Sequence, residues 1–189
     1  MHTSFLKKAW PCLLLALLGS TLLTAQNANW QRYKLGNSGC SVNLPAVPAD
    51  IDFAIDIDSN KVYQTRVEQT FGGQRYQFCV AAMLMREELA PEDNDAAFEQ
   101  LSSYMDYIKS TQNIIDETSY KKINNLARGK LAKGQTATWT DQQGQTYHVM
   151  GWINGRTVAV LYVFGEKPYP NQPQLSMSFF NSFQFPSVY

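Results

Sequence analysis

The sequence predicts an α+β domain built as one antiparallel sheet with helices on both of its faces. Residues 146–164 hold two apolar runs joined by Asn154-Gly155. That dipeptide is the strongest short-range hairpin signal, because a type I′ turn needs positive φ at both central positions. Both faces of the resulting hairpin are apolar, whereas a solvated hairpin shows one polar face, so these strands belong in mid-sheet with a layer packed on each side. Two helical patterns far apart in the chain supply the layers: Ala97, Leu101, Tyr104 and Ile108 in one, Leu175, Phe179 and Phe183 in the other.

The first element is not part of the fold. Lys7 and Lys8 precede an apolar run over residues 9–23, followed by Thr24-Ala25-Gln26. This is the layout of a secretory signal peptide, with cleavage expected after Ala25. The run is short for a retained membrane span, and Cys12 stands at its start and not at its end, where a lipid anchor would be expected. Export is therefore expected, with membrane contact only through the uncleaved signal segment. Residues 26–189 are then one domain, too short for two.

Residues 26–39 read as a polar lead-in with Trp30 and Tyr33 as anchors. Residues 40–44 alternate like a short strand and stop at Pro45. Ile51, Phe53, Ile55 and Ile57 alternate with Asp50, Asp52, Ala54, Asp56 and Asp58, which reads as a half-buried strand with a wet acidic face. A second hairpin turns at Gly72-Gly73. Its register pairs Val67/Phe78, Thr65/Val80 and Tyr63/Ala82 on an apolar face, and Glu68/Gln77, Arg66/Cys79 and Gln64/Ala81 on a polar one. Such a hairpin lies nearer an edge, or is covered on one side only.

Residues 90–95 supply caps and first-turn acids for the long helix, and Lys109 sits in its last turn. Residues 113–123 read as a strand and 129–134 as a loop. In the organising hairpin a two-residue loop at Asn154-Gly155 pairs Ile153 with Arg156, Gly151 with Val158, Val149 with Val160 and Tyr147 with Tyr162. Trp152, Met150 and His148 take the opposite face, against Thr157, Ala159 and Leu161. The short closing helix follows Pro168, Pro170 and Pro173.

With the pattern laid out, the two ends resemble a known family. Residues 40–48, Cys-Ser-Val-Asn-Leu-Pro-Ala-Val-Pro, look like the "F-S-V-x-x-P-x-x-P" first strand of PsbP-like proteins, with Cys40 where an aromatic is usual. Residues 179–185, Phe-Phe-Asn-Ser-Phe-Gln-Phe, are similar to their terminal "F-L-x-S-F-x-L". The resemblance implies an α/β/α sandwich. The family spans a photosystem subunit, secretion chaperones and exported bacterial proteins, so no catalytic residue carries over.

Composition excludes some chemistry. Without residues 1–25, which carry Lys7 and Lys8 and no acid, 14 basic residues face 16 acidic ones. No basic stripe exists to track phosphates, so nucleic acid is not an expected partner. His148 is then the only histidine, which argues against a hydrolytic triad or a multi-histidine metal site. Asp56-Ile57-Asp58-Ser59-Asn60 copies half of a calcium loop but has Lys61 where the sharp turn needs glycine, and reads as a turn. No metal and no cofactor are expected. Cys40 and Cys79 form a candidate disulfide. Cys40 alternates in phase with Val42 and Leu44, whereas Cys79 is out of phase with Phe78 and Val80. The sulfurs meet only if those apolar residues face different layers.

The aromatic surplus remains. Trp139, Tyr147, Trp152 and Tyr162 are the candidate binding residues, lining a groove on the sheet, with Trp139 singled out by its polar strand neighbours Thr138 and Thr140. The expected function is an exported, non-enzymatic binding domain that engages a protein, peptide or envelope component. The alternatives are a hydrolytic enzyme with paired carboxylates such as Glu87 and Glu88, and a structural envelope component without a ligand.

Overall fold

The computed structural model describes residues 29–89, 93–123, 132–167, 169 and 178–187. The expected signal peptide and its cleavage point lie outside them. So do residues 90–92 of the helix start, residues 129–131, and Pro168, Pro170, Pro173, Leu175 and Met177 of the closing segment.

The strands in chain order are β1 (Gln31–Lys34), β2 (Ser41–Leu44), β3 (Asp52–Ile55), β4 (Lys61–Phe71), β5 (Gln74–Leu84), β6 (Ile114–Glu117), β7 (Lys121–Ile123), β8 (Lys133–Asp141), β9 (Thr146–Asn154) and β10 (Thr157–Gly165). One helix, α1 (Asn94–Ser110), falls between β5 and β6. β1 and β2 pair as a two-stranded sheet. The rest form an eight-stranded antiparallel sheet ordered β3-β4-β5-β10-β9-β8-β6, with β7 also on β8.

The sandwich with helices on both faces is overturned. The described residues are 50% strand and 14% helix, with one long helix on one face. The opposite face is covered by β1–β2 and by aromatic rings near the C-terminus: Leu35, Val42, Leu44, Tyr169, Phe179, Phe180 and Phe183 pack there against Phe78, Leu161 and Val163. Ser178 and Phe179 are helical, but the chain turns over residues 180–182, so Phe183 lies past the helical residues and the expected closing helix does not reach it. Beyond Phe183 the backbone is instead tied to β2, where Gln184 N donates to the Ser41 carbonyl at 2.7 Å and Ser41 N donates back at 3.1 Å. The Ser182 hydroxyl accepts from Asn43 N at 2.8 Å. The two end motifs therefore meet in space, and among the described residues this face is covered by β1–β2 and the rings of Phe179, Phe180 and Phe183, not by a second long helix.

β9 and β10 occupy the middle of the sheet, as the doubly apolar hairpin required. Their register differs from the expected one by two residues: Asn154 pairs with Thr157, Trp152 with Ala159, Gly151 with Val160 and Tyr147 with Phe164. The loop is Gly155-Arg156, because Gly155 has φ +55° while Asn154 ends β9 in extended conformation. An even shift keeps every side chain on its own face. It also sets Trp152 opposite Ala159 and lets Tyr147 stack on Phe164 at 4.3 Å between ring centroids. The second hairpin has the expected register throughout, including Val67/Phe78 and Arg66/Cys79.

α1 is capped by the Asp93 carboxylate, which accepts from Ala96 N at 2.9 Å. It closes with Lys109 bridging Asp106 and Glu117, each at 2.7 Å. Its apolar stripe, Leu101, Tyr104, Met105 and Ile108, is buried on β8, β9 and β10 against Trp139, Val149, Ile153 and Val160. Lys133 and Gly134 belong to β8 and not to the loop expected over 129–134.

Cys40 and Cys79 are both free and buried, so the candidate disulfide does not form. Cys40, Val42, Leu44, Phe78 and Val80 all join the cluster on the face away from α1. Cys79, one residue out of phase, points to the helix side, and alternation alone keeps the sulfurs apart.

Gly134 is held against the ring of its partner Trp152: an added Cβ would sit 2.6 Å from Cζ3 and 2.7 Å from Ile123 Cγ1. Gly134→Ala is expected to destabilise the fold by about 1–3 kcal/mol. A urea titration followed by tryptophan fluorescence reads this as a lower midpoint with an unchanged slope.

Candidate functional site

The four aromatic residues expected to line one groove do not share an accessible face. Trp139 is 0% exposed beneath α1, and Trp152 is 1% exposed on the opposite side of the sheet. Tyr147 is buried on the helix side, and Tyr162, half-buried, lies on that same side. Trp139 and Trp152 are therefore core residues, whereas Tyr162 lines an opening.

That opening is a groove of about 400 Å³ on the helix-bearing face, at the β3 end of the sheet. Its floor comes from alternate residues of three neighbouring strands: Gln64 and Arg66 of β4, Cys79 of β5, and Tyr162 and Phe164 of β10. Asp50 and Asp52 form one wall, and Gln112, just past α1, stands at the other side. The rings of Tyr147, Phe164 and Tyr162 run into it as a stack, with Tyr162 and Phe164 6.2 Å apart at 19°. The sequence marked this floor as the polar face of the second hairpin. Arg66 and Gln64 were missed as site residues because nothing local showed that α1 would stop short of them.

The groove is lined mainly by polar groups around one thiol. Burial pushes the Cys79 thiol up to about 12 despite the neighbouring Tyr162 hydroxyl and the charge of Arg66, so the nucleophilic thiolate is absent at neutral pH. Burial also raises the Tyr162 phenol, and the Cys79 beside it acts the same way. The Tyr147 hydroxyl donates to Asp141 Oδ2 at 3.2 Å, while Asp141 Oδ1 accepts from the backbone of Gln143 and Gln145. Asp141 is thus committed to holding a turn.

Other candidates lie apart. His148 faces the far side, in a cavity of about 400 Å³ with Thr136, Thr138, Met150 and Phe180. Glu87 lines a shallow cleft with Asp58 and Arg86, whereas Glu88 rests against Gly155, so these carboxylates do not converge on one another. The Asp56 carboxylate accepts from Asp58 N, Asn60 N and Asn60 Nδ2 at 2.8 to 3.0 Å, which makes the calcium-like stretch a turn cap. No group of three or more His, Cys, Asp or Glu gathers for a metal among the described residues.

No protein-family model matches the chain, and no curated protein matches it. The PsbP-like resemblance rests on the two end motifs and the order of strands and helix between them.

Two measurements check these environments. In protein starting at residue 26, Cys40, pushed up to about 11 by burial, and Cys79 are expected to resist a water-soluble thiol reagent at pH 7. Both should label fully in denaturant without prior reduction, and a reagent-resistant, reducible pair would contradict free thiols. The buried Nε2 of His148 has no hydrogen-bond partner among the described residues, and burial holds its pKa below the ordinary value. The unfolded chain then binds more protons than the folded one as pH drops past about 6.5, so stability falls with acid in that window. Urea midpoints should decline from pH 7.5 to 5.5, and His148→Gln should flatten that decline.

Proposed function

We propose that the chain is an exported, non-enzymatic binding domain that holds a protein, peptide or envelope component in the groove between β3, β4, β5 and β10. The observation behind this reading is the uncovered part of the helix-bearing face. There an exposed arginine, a glutamine and two aspartates surround half-buried rings of Tyr162 and Phe164. Rings with a few convergent polar groups are what a recognition site needs: area for contact and directional hydrogen bonds for selectivity. The export step rests on Lys7, Lys8, the apolar run over 9–23 and the small residues before Gln26.

The hydrolytic alternative has less behind it. Its two carboxylates, Glu87 and Glu88, point to different neighbours, and the one thiol in the groove is kept protonated. A structural component without a ligand has no feature of its own in its favour.

Arg66→Glu tests the reading, because Arg66 is exposed and its loss leaves the core intact. Immobilised protein from residue 26 onward should retain a saturable partner from an envelope extract of the host. Arg66→Glu should lower the retained amount at least tenfold, while Arg75→Gln, at an exposed ion pair with Glu166 on the same hairpin, should not change it. Equal capture by all three proteins, or by none, would refute a binding role for this groove.

A further inference from the structure

The groove's outer wall continues into the free edge of the sheet, and that edge is unlike the other one. β3 pairs with β4 on one side, from Asp52/Gln64 to Ile55/Lys61, and no strand among the described residues pairs with its other side. Sheet edges invite a further strand, and proteins blunt them with bulges, twists and charges. β6, at the opposite end, has such a device: its register against β8 slips between Ile114 and Asp116. β3 has an uninterrupted register and carries apolar side chains into water. Phe53 is 54% exposed and Ile55 61%, side by side on one face of β3. The half-buried strand expected here is thus an open one. Grouped exposed apolar residues mark an interaction surface.

Parity fixes what such a surface would accept. Phe53 and Ile55 lie on the face of Tyr63, on which the Phe53 ring leans at 5.1 Å between centroids. Asp52 lies on the face of Gln64, toward the groove, with Asp50 next to it in the same wall. Neither carboxylate has a cation within ion-pair distance among the described residues. Arg66, the nearest groove cation, stands on β4, one strand further in. A second copy of this chain would bring its own Asp52 beside this one, and like charges on adjacent strands are destabilising.

Resting on the groove reading above, we propose that β3 takes up an extended segment of another polypeptide as an additional strand. The recognised chemistry is alternation of lysine or arginine with apolar residues. The bases would lie on the groove side against Asp50 and Asp52, and the apolar residues on the other side against Phe53 and Ile55. Main-chain hydrogen bonds along the edge would supply affinity, and the alternating side chains the choice of partner. An added strand sits about 4.8 Å beyond β3, within reach of both rows.

Fluorescently labelled eight-residue peptides alternating lysine with valine, or glutamate with valine, separate the outcomes in an anisotropy titration against protein from residue 26 onward. The lysine peptide is expected to bind saturably and the glutamate peptide not at all. The double variant Asp50→Lys, Asp52→Lys should weaken the lysine peptide at least tenfold and admit the glutamate one. Phe53→Ser, an exposed change, should weaken both pairings. Methylating every second amide of the lysine peptide should abolish binding in one phase and spare it in the other, as only one set of amides faces β3. Equal binding by both methylated forms, indifference to charge reversal, or no binding at all would overturn strand addition. If no peptide binds while an envelope partner is still captured through Arg66, the edge proposal fails and the groove reading stands.

Discussion

The fold depends on one ribbon, β9 with β10, whose alternate side chains are needed on both faces at once. Val149, Ile153, Val158 and Val160 bind α1, while Trp152, Ala159, Leu161 and Val163 bind the aromatic layer opposite. Strand alternation makes this division rigid, since a slip by one residue would exchange the two sets. The actual register differs from the simplest expectation by two and leaves both sets in place, so the cost of that choice is confined to the turn. Its benefit is local: a small residue opposite the Trp152 indole, and a stacked Tyr147–Phe164 pair.

From this ribbon follows where the open surface must be. A helix is about 10–12 Å across, and strands lie about 4.8 Å apart, so α1 can roof only two or three strands. It sits over β8, β9 and β10. β4 and β5 lie beyond it and carry Gln64, Arg66, Glu68 and Gln77 on that face, residues that tolerate water. The other face needs a broader cover because β4 and β5 are apolar there, with Tyr63, Val67, Phe78 and Val80. Two short strands and a set of phenylalanine and tyrosine rings supply it. The asymmetry between the faces is the reason the molecule has a groove on the helix side.

Local patterns carried much of this architecture in the sequence. The face assignment of both hairpins, the position and burial stripe of α1, and the placement of β9 and β10 in mid-sheet were readable, because each rests on periodicity within one element. The cover of the far face was not, since the helical spacing of Phe179 and Phe183 runs across a turn at residues 180–182, and the chain after Phe183 is fixed by a long-range pairing of Gln184 with Ser41. Parity already separated Trp152 from Tyr147 and Tyr162, so that grouping of site residues conflicted with the register that accompanied it. Trp139 misled for another reason. Its neighbours Thr138 and Thr140 lie on the opposite face, and polar residues one position away say nothing about the side a strand residue faces.

The alternation of acid and apolar residues around β3 has the same ambiguity at a higher level. It fits a strand with one face in the core and one in water, and it fits equally a strand with no core beneath it. What decides between them is the number of layers that reach the sheet's end, which depends on where β1–β2 and α1 stop. Neither extends over Phe53 and Ile55, so a pattern that ordinarily signals burial here leaves apolar side chains in solvent. Aspartates on the remaining face limit the hazard of such an edge by opposing self-association, while leaving its main-chain groups unblocked. An edge guarded by charge is selective, whereas one guarded by a bulge is closed, and the two ends of this sheet differ in that respect.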